Sequence, residues 1–316
     1  MSMVSRNVAA PDCTGRVTES VVAIKPSFRQ AEARFGFLLV VPALLFFLVV
    51  ILYPFLRSVG LSLFESTLIR PQLRFVGLAN FYKLFESAEF LDVWWTTAIY
   101  VVLTTSLTVL LGFGWAIILN QSFRGRTFVR SITLLPWILP STVTAFLWAW
   151  IFDGKFGLLN AILIKLGIID TAVVWLSHPN GALLAVTLAK TWLSTPVAMA
   201  FLLAGLQSVS SDEIDAALMD GCKASGVVRH VLIPHLLPTI VVVIVLQAMA
   251  NLQQIDTILA MTNGGPARAT TVFSIEVYRT AFRNWNTGLA SAIGVIWFFT
   301  IAIPACVYLR TIFKRV

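Results

Sequence analysis

The stretch Ser210-Ser-Asp-Glu-Ile-Asp-Ala-Ala-Leu-Met-Asp-Gly-Cys-Lys-Ala-Ser-Gly-Val-Val-Arg-His-Val-Leu-Ile-Pro234 is a polar island between two apolar runs, residues 182–206 and 237–255. Local rules parse it as helix, turn, helix. Ser210 and Glu213 stand at the spacing of a capping box, in which a serine hydroxyl and a glutamate three residues on satisfy the free N–H groups of a helix start. Ile214, Ala217 and Leu218 then fall at i, i+3 and i+4 and form a small apolar face. Gly221 supplies a left-handed residue to end the helix, and Pro234 suits the first turn of the next one. A short amphipathic hook of this kind suits docking into a groove of a soluble partner, or simply shielding helix ends from water.

The runs on either side decide what kind of chain carries the hook. Of 316 residues, 58% are hydrophobic and only 12% are charged, with a mean hydropathy of +0.86. A soluble domain of that length would expose far more charge. A helix needs roughly 20 apolar residues to cross a bilayer core, because its backbone must bond internally over about 30 Å. Residues 35–56, 93–119, 131–152, 182–206, 237–255 and 287–309 meet that test, which predicts an all-α membrane protein with six transmembrane helices. Residues 1–34 read as a polar tail and 35–316 as one membrane domain. The tail holds Arg6, Arg16, Lys25, Arg29 and Arg34 ahead of an apolar run too long for a signal peptide core, so that run is expected to stay as the first span.

The net charge of +8 raises the question of nucleic acid, yet no basic block interleaved with aromatics occurs. The basic residues gather at span ends instead. Counting Lys and Arg on alternate sides favours a cytoplasmic N-terminus, with Arg124, Arg126, Arg130, Lys223, Arg229, Arg310, Lys314 and Arg315 on the same side as the tail. Both termini are then expected in the cytoplasm. Cys13, Cys222 and Cys306 are scattered, as are His178, His230 and His235, so neither a disulfide nor a metal or catalytic cluster is expected. Outside, residues 75–85 and 158–169 have the apolar spacing of short interfacial helices.

The stretch 210–234 resembles the EAA loop of ABC importer permeases. Asp215-Ala216-Ala217 takes the acidic-Ala-Ala place, Asp220-Gly221 follows, and Val231-Leu-Ile-Pro234 closes the pattern. Departures are Asp215 for the usual Glu, Cys222 for the usual Ala and Val228 where an aromatic is common. Three further stretches resemble the carbohydrate branch whose permeases are similar to the maltose F subunit: Phe75-Val-Gly-Leu-Ala-Asn80, Arg124-Gly-Arg-Thr-Phe-Val-Arg130, and Thr262-Asn-Gly-Gly-Pro266 with Thr270 and Thr271. The resemblance implies the type I ABC importer permease fold. It implies a bacterial inner-membrane location, a second G-type permease subunit, two copies of an ABC ATPase, and an extracytoplasmic binding protein that delivers a carbohydrate-type solute. It assigns ATPase coupling to Glu213, Asp215, Ala216, Ala217, Asp220, Gly221 and Pro234. The chain has no G-x-x-x-x-G-K-[ST] loop, so ATP and Mg are expected on the partner ATPase, with no cofactor and no catalytic residue here.

Two polar stripes are candidates for contact with the solute. Gln247, Asn251 and Gln254 recur at i, i+4 and i+7, so their amides share one helical face. Such amides either glue a span to its neighbours or offer donors and acceptors to a hydroxyl-rich ligand. The resemblance favours the second role, since these positions match those from which sugar-importing relatives present side chains. Lys190, Ser194 and Val197 form the other stripe. A lysine within a span costs about 2.5–3.5 kcal/mol on insertion scales and needs a partner or a wet cavity. Asp256 is a candidate counter-ion, and an unpaired Lys190 facing the solute would point to an anionic cargo. Two rival readings stand beside the permease: a stand-alone secondary transporter using Lys190 and Asp256, and a scaffold subunit with no transport role.

Overall fold

The computed structural model describes residues 26–67, 69 and 72–313. Most of the predicted tail, with Cys13, and the terminal Lys314, Arg315 and Val316 lie outside the described residues. The chain divides into two units, Met1–Leu56 and Arg57–Val316.

The first unit carries α1 (Pro26–Phe47) and a π-helical turn, Leu48–Leu52, which leads into α2 (Tyr53–Leu61). The turn has a local cause. Pro54 has no N–H to offer the carbonyl of Val50, and its ring crowds that position, so the helix widens there by one residue. The apolar side chains from Phe35 to Ile51 are largely exposed, as befits a helix whose solvent is hydrocarbon.

The second unit takes in the end of α2 and then a small antiparallel hairpin, β1 (Phe64–Glu65) and β2 (Arg74–Phe75), in the register Phe64 to Phe75 and Glu65 to Arg74. The Phe75–Asn80 motif pins it. Buried Asn80 opens α3 (Ala79–Glu86) and donates from Nδ2 to the carbonyls of Ser62 at 2.9 Å and Phe64 at 3.0 Å. Gly77, at φ +57°, turns the chain between hairpin and helix.

Next come α4 (Ala88–Asn120), α5 (Arg126–Ile138), α6 (Ser141–Ile151), α7 (Leu158–Lys165) and α8 (Pro179–Leu206). They are followed by α9 (Ser211–Met219), α10 (Ala224–Val227), α11 (Ile233–Leu252), α12 (Asp256–Met261), α13 (Phe273–Tyr278) and α14 (Thr287–Phe313). The pair α4 and α8 forms the spine. Gly112 allows their close approach, since a Cβ there would stand 2.9 Å from the Cβ of Ala198 and 3.0 Å from the backbone N of Met199. Around this contact Ala116, Leu119, Met199, Leu202, Leu236 and Val243 close one core cluster.

Four helices among the described residues are long and apolar enough to cross a bilayer: Phe35–Leu61, Ala88–Asn120, Pro179–Leu206 and Ala224–Leu252. The last apolar helix is α14. The expected third span, 131–152, is not one straight helix. It is the pair α5 and α6, bent by 98° at Leu139 and Pro140. Proline excludes its predecessor from the helical region, and Leu139 is accordingly extended at φ −72°, ψ 139°. The fifth span also ends earlier than expected, at Leu252, and restarts at Asp256 as α12.

The loop 262–271, one of the motifs that carried the resemblance, folds as a hydrogen-bonded knot. Gly264 takes φ +83°, and Thr271 Oγ1 donates to its carbonyl at 2.8 Å while Thr270 Oγ1 donates to that of Gly265 at 2.8 Å. Arg268 ties the knot to Glu276 at 2.7 Å and to Glu89 at 3.1 Å.

Candidate functional site: a coupling hook and a polar cavity

The hook begins with a cap. Ser210 Oγ accepts from the backbone N of Asp212 at 3.2 Å. Glu213 does not complete a capping box; its carboxylate turns toward His235, with Oε2 3.9 Å from Nδ1. The other end of α9 closes as a Schellman motif. Cys222 N donates to Ala217 O at 3.0 Å, Gly221 N donates to Leu218 O at 3.0 Å, and Gly221 sits at φ +84°. Beyond the turn, α10 runs through a π-helical segment, Val228–Leu232, into α11. Pro234 is the reason again, since the carbonyl of His230 four residues earlier lies in the widened segment.

The faces of α9 are divided. Ile214 and Ala217 are half-buried and pack on the core cluster beside Val227 and Leu232. Asp215, Ala216, Leu218, Met219, Asp220 and Gly221 are exposed, with Met219 at 88%. The i, i+3, i+4 spacing groups Leu218 with Ile214 and Ala217 on one apolar face, but in the structure Leu218 is exposed beside Met219, to which the spacing assigns no role. Two exposed apolar side chains beside three exposed carboxylates, Asp212, Asp215 and Asp220, make a short ridge with an apolar centre and an acidic rim.

A cavity of about 380 Å³ lies between α5, α8 and α11. Lys190, Ser194 and Val197 on α8 line one wall and Leu246, Gln247 and Ala250 on α11 line another. Trp137, Leu139 and Ser141 complete it from the α5–α6 bend. The bend thus brings an aromatic ring and a hydroxyl to the stripe on α8. Nothing in the sequence reasoning had singled them out, although Pro136 and Pro140 four residues apart marked the break. Trp137 is 62% exposed and Leu246 47%, so among the described residues the rim faces outward without cover.

The six residues of the two stripes are not all brought together. Lys190, Ser194, Val197 and Gln247 meet in the cavity. Asn251 points to α4, where its Nδ2 donates to Thr105 Oγ1 at 3.0 Å. Gln254 lies in the break after α11, where its Nε2 donates to Thr257 Oγ1 at 3.0 Å and its carbonyl accepts from Ser274 Oγ. Asp256 accepts from Ser141 Oγ at 2.8 Å on Oδ2.

Residues 108–316 match the family described as binding-protein-dependent transport system inner membrane component. The chain is 34% identical over 285 residues to the trehalose/maltose transport system permease protein MalF of Thermococcus litoralis, covering 89% of this chain and 95% of that protein. It is 29% identical over 276 residues to the sulfoquinovosyl glycerol transport system permease protein SmoG of Agrobacterium fabrum, covering 87% and 89%. Among solved structures it is similar to a bacterial ABC transporter involved in import of the acidic polysaccharide alginate, with a TM-score of 0.74, 20% identity, and coverage of 92% of this chain and 98% of that one. That likeness speaks for the fold. With that family match over residues 108–316 and the 34% identity to a sugar permease, the chain belongs to the inner-membrane permease family of binding-protein-dependent ABC importers.

Proposed function

We propose that this chain is one half of the membrane channel of a sugar importer, working by ATP-driven alternating access beside a second, G-type permease. The relatives named for trehalose, maltose and sulfoquinovosyl glycerol favour a carbohydrate cargo. The cavity chemistry agrees: an amide, two hydroxyls and an indole suit a hydroxyl-rich ligand, and its volume lies within the range of roughly 300–1,000 Å³ common for ligand sites. Its uncovered rim suits a second subunit closing the other side.

The observation that carries the reading is the Schellman-closed helix α9, which presents Leu218 and Met219 between acidic residues at the surface. In this account that ridge seats in a cleft of an ABC ATPase. Two copies of the ATPase bind ATP and Mg, and their closure favours one of two packings of the paired permeases. An extracytoplasmic binding protein delivers the sugar. The hook and both termini then lie in the cytoplasm. Glu213, Asp215, Ala216, Ala217, Asp220, Gly221 and Pro234 form or support the docking element, and Lys190, Ser194, Val197 and Gln247 face the cargo.

Reconstitution in proteoliposomes tests this. A radiolabelled sugar or sugar derivative that the binding protein retains should enter only when both permeases, the ATPase, ATP and the binding protein are present, and Asp220→Lys should uncouple ATP hydrolysis from uptake. Uptake by this chain alone would favour a secondary transporter and remove the proposal.

A further inference from the structure

Three polar side chains meet in the cavity without a protein hydrogen bond among the described residues. They are Lys190 at 8% exposure, Ser194 at 7% and Gln247 at 6%. Neighbours on the same helices behave differently, for Thr195 Oγ1 donates to the carbonyl of Thr191 at 2.7 Å and Asn251 Nδ2 donates to Thr105 Oγ1 at 3.0 Å. Buried polar groups are ordinarily paired, and a buried ammonium is paired or wet almost without exception.

Lys190 is the group that sets the chemistry. No carboxylate lies within 4.0 Å of its ammonium among the described residues, whose ion pairs are His235 with Glu213 and Arg268 with Glu89 and Glu276. Asp256 is the acidic group that acts on it electrostatically. Yet Asp256 is exposed, and its Oδ2 is taken by Ser141, so its charge is shared with solvent while the lysine stays enclosed. The cavity wall therefore carries a cation with three N–H donors free, next to an amide and a hydroxyl.

Resting on the sugar-permease reading, we infer that the cargo carries an anionic group, a carboxylate, sulfonate or phosphate on a sugar, which Lys190 receives while Gln247 and Ser194 bond adjacent hydroxyls. A neutral sugar would leave the ammonium with weaker, uncharged acceptors. A charged oxygen adds the attraction of opposite charges in an enclosed site to the hydrogen bond itself.

The test uses the complete complex, with both permeases, the ATPase and its binding protein, in proteoliposomes. The probes are a glucuronate-containing disaccharide and the same disaccharide with glucose in place of glucuronate. Equilibrium binding to the permease complex in nanodiscs is measured alongside uptake, because the binding protein imposes its own selection. The wild type should favour the charged probe. Lys190→Gln should weaken binding of the charged probe roughly thirtyfold, in keeping with loss of one partner of a buried charge pair, and weaken that of the neutral probe far less. Lys190→Arg should retain the preference. The inference falls if the wild type binds the neutral probe at least as well, or if Lys190→Gln affects both probes equally or neither. A complex that moves no sugar of either kind would instead refute the sugar-permease reading.

Discussion

Replacing Gly221 with alanine isolates the backbone geometry of the hook. At φ +84° the residue occupies a conformation that L side chains rarely adopt, yet a Cβ built there meets nothing within 4 Å. Any penalty is therefore conformational rather than a clash with neighbours. Left-handed geometry costs a residue with a Cβ roughly 1–2 kcal/mol, against almost nothing for glycine. The residue is also the pivot for the two bonds, Cys222 N to Ala217 O and Gly221 N to Leu218 O, that close α9. If the hook must be closed to dock, Gly221→Ala should lower the docked fraction by about 5–30-fold, the factor that 1–2 kcal/mol represents. The readout is binding-protein-stimulated ATP hydrolysis together with sugar uptake in proteoliposomes, at limiting ATPase concentration. Asparagine tolerates the left-handed region, so Gly221→Asn should recover much of the loss. Equal activity of wild type and Gly221→Ala would refute the reasoning, and so would a Gly221→Asn variant as impaired as the alanine one.

Two further pairs of variants test the membrane domain. Gly112→Ala should destabilise the detergent-purified permease by about 1–3 kcal/mol, because the new methyl overpacks the α4–α8 contact, whereas Gly114→Ala, with open space at its Cβ, should be neutral or slightly stabilising in the same thermal unfolding assay. Gln247→Leu should raise the KM for sugar uptake with little change in thermal stability. Asn251→Leu should do the reverse, lowering stability by about 0.6–1.7 kcal/mol, the range for one hydrogen bond between membrane helices.

Much of this architecture was legible because membrane spans obey a simple rule of length and polarity. Residues 182–206 and 287–309 map closely onto α8 and α14. The hook was legible for a different reason: a serine cap and a left-handed glycine are local chemistry, and both are used as read. Its finer details were not. Glu213 spends its carboxylate on His235, a residue of the following helix, and no local rule reports a neighbour brought close by tertiary packing. Proline signals were visible but ambiguous. Pro42 sits within α1, Pro136 within α5 and Pro196 within α8, whereas Pro140 breaks the chain by 98°. Which outcome applies depends on whether neighbouring helices satisfy the freed carbonyls.

The candidate site shows the same limit more sharply. Periodicity put Gln247, Asn251 and Gln254 on one face, and a helical face is wide enough to touch two neighbours at once. Gln247 faces the cavity, Asn251 faces Thr105, and Gln254 has already left the helix. Trp137 and Ser141 reach the cavity only because α5 and α6 bend, so their contribution could not be seen without the fold.

The account turns on α9 lying in the cytoplasm against an ATPase. A single cysteine at Met219, introduced as Met219→Cys with Cys13, Cys222 and Cys306 replaced by serine, tests it most directly, since Met219 is the most exposed apolar side chain of the hook. In assembled complexes a short thiol crosslinker should join this position to the ATPase subunit, and in intact cells a membrane-impermeant maleimide should leave it unlabelled. Labelling from outside, or a complex in which the residue crosslinks to no ATPase while uptake proceeds normally, would contradict the account.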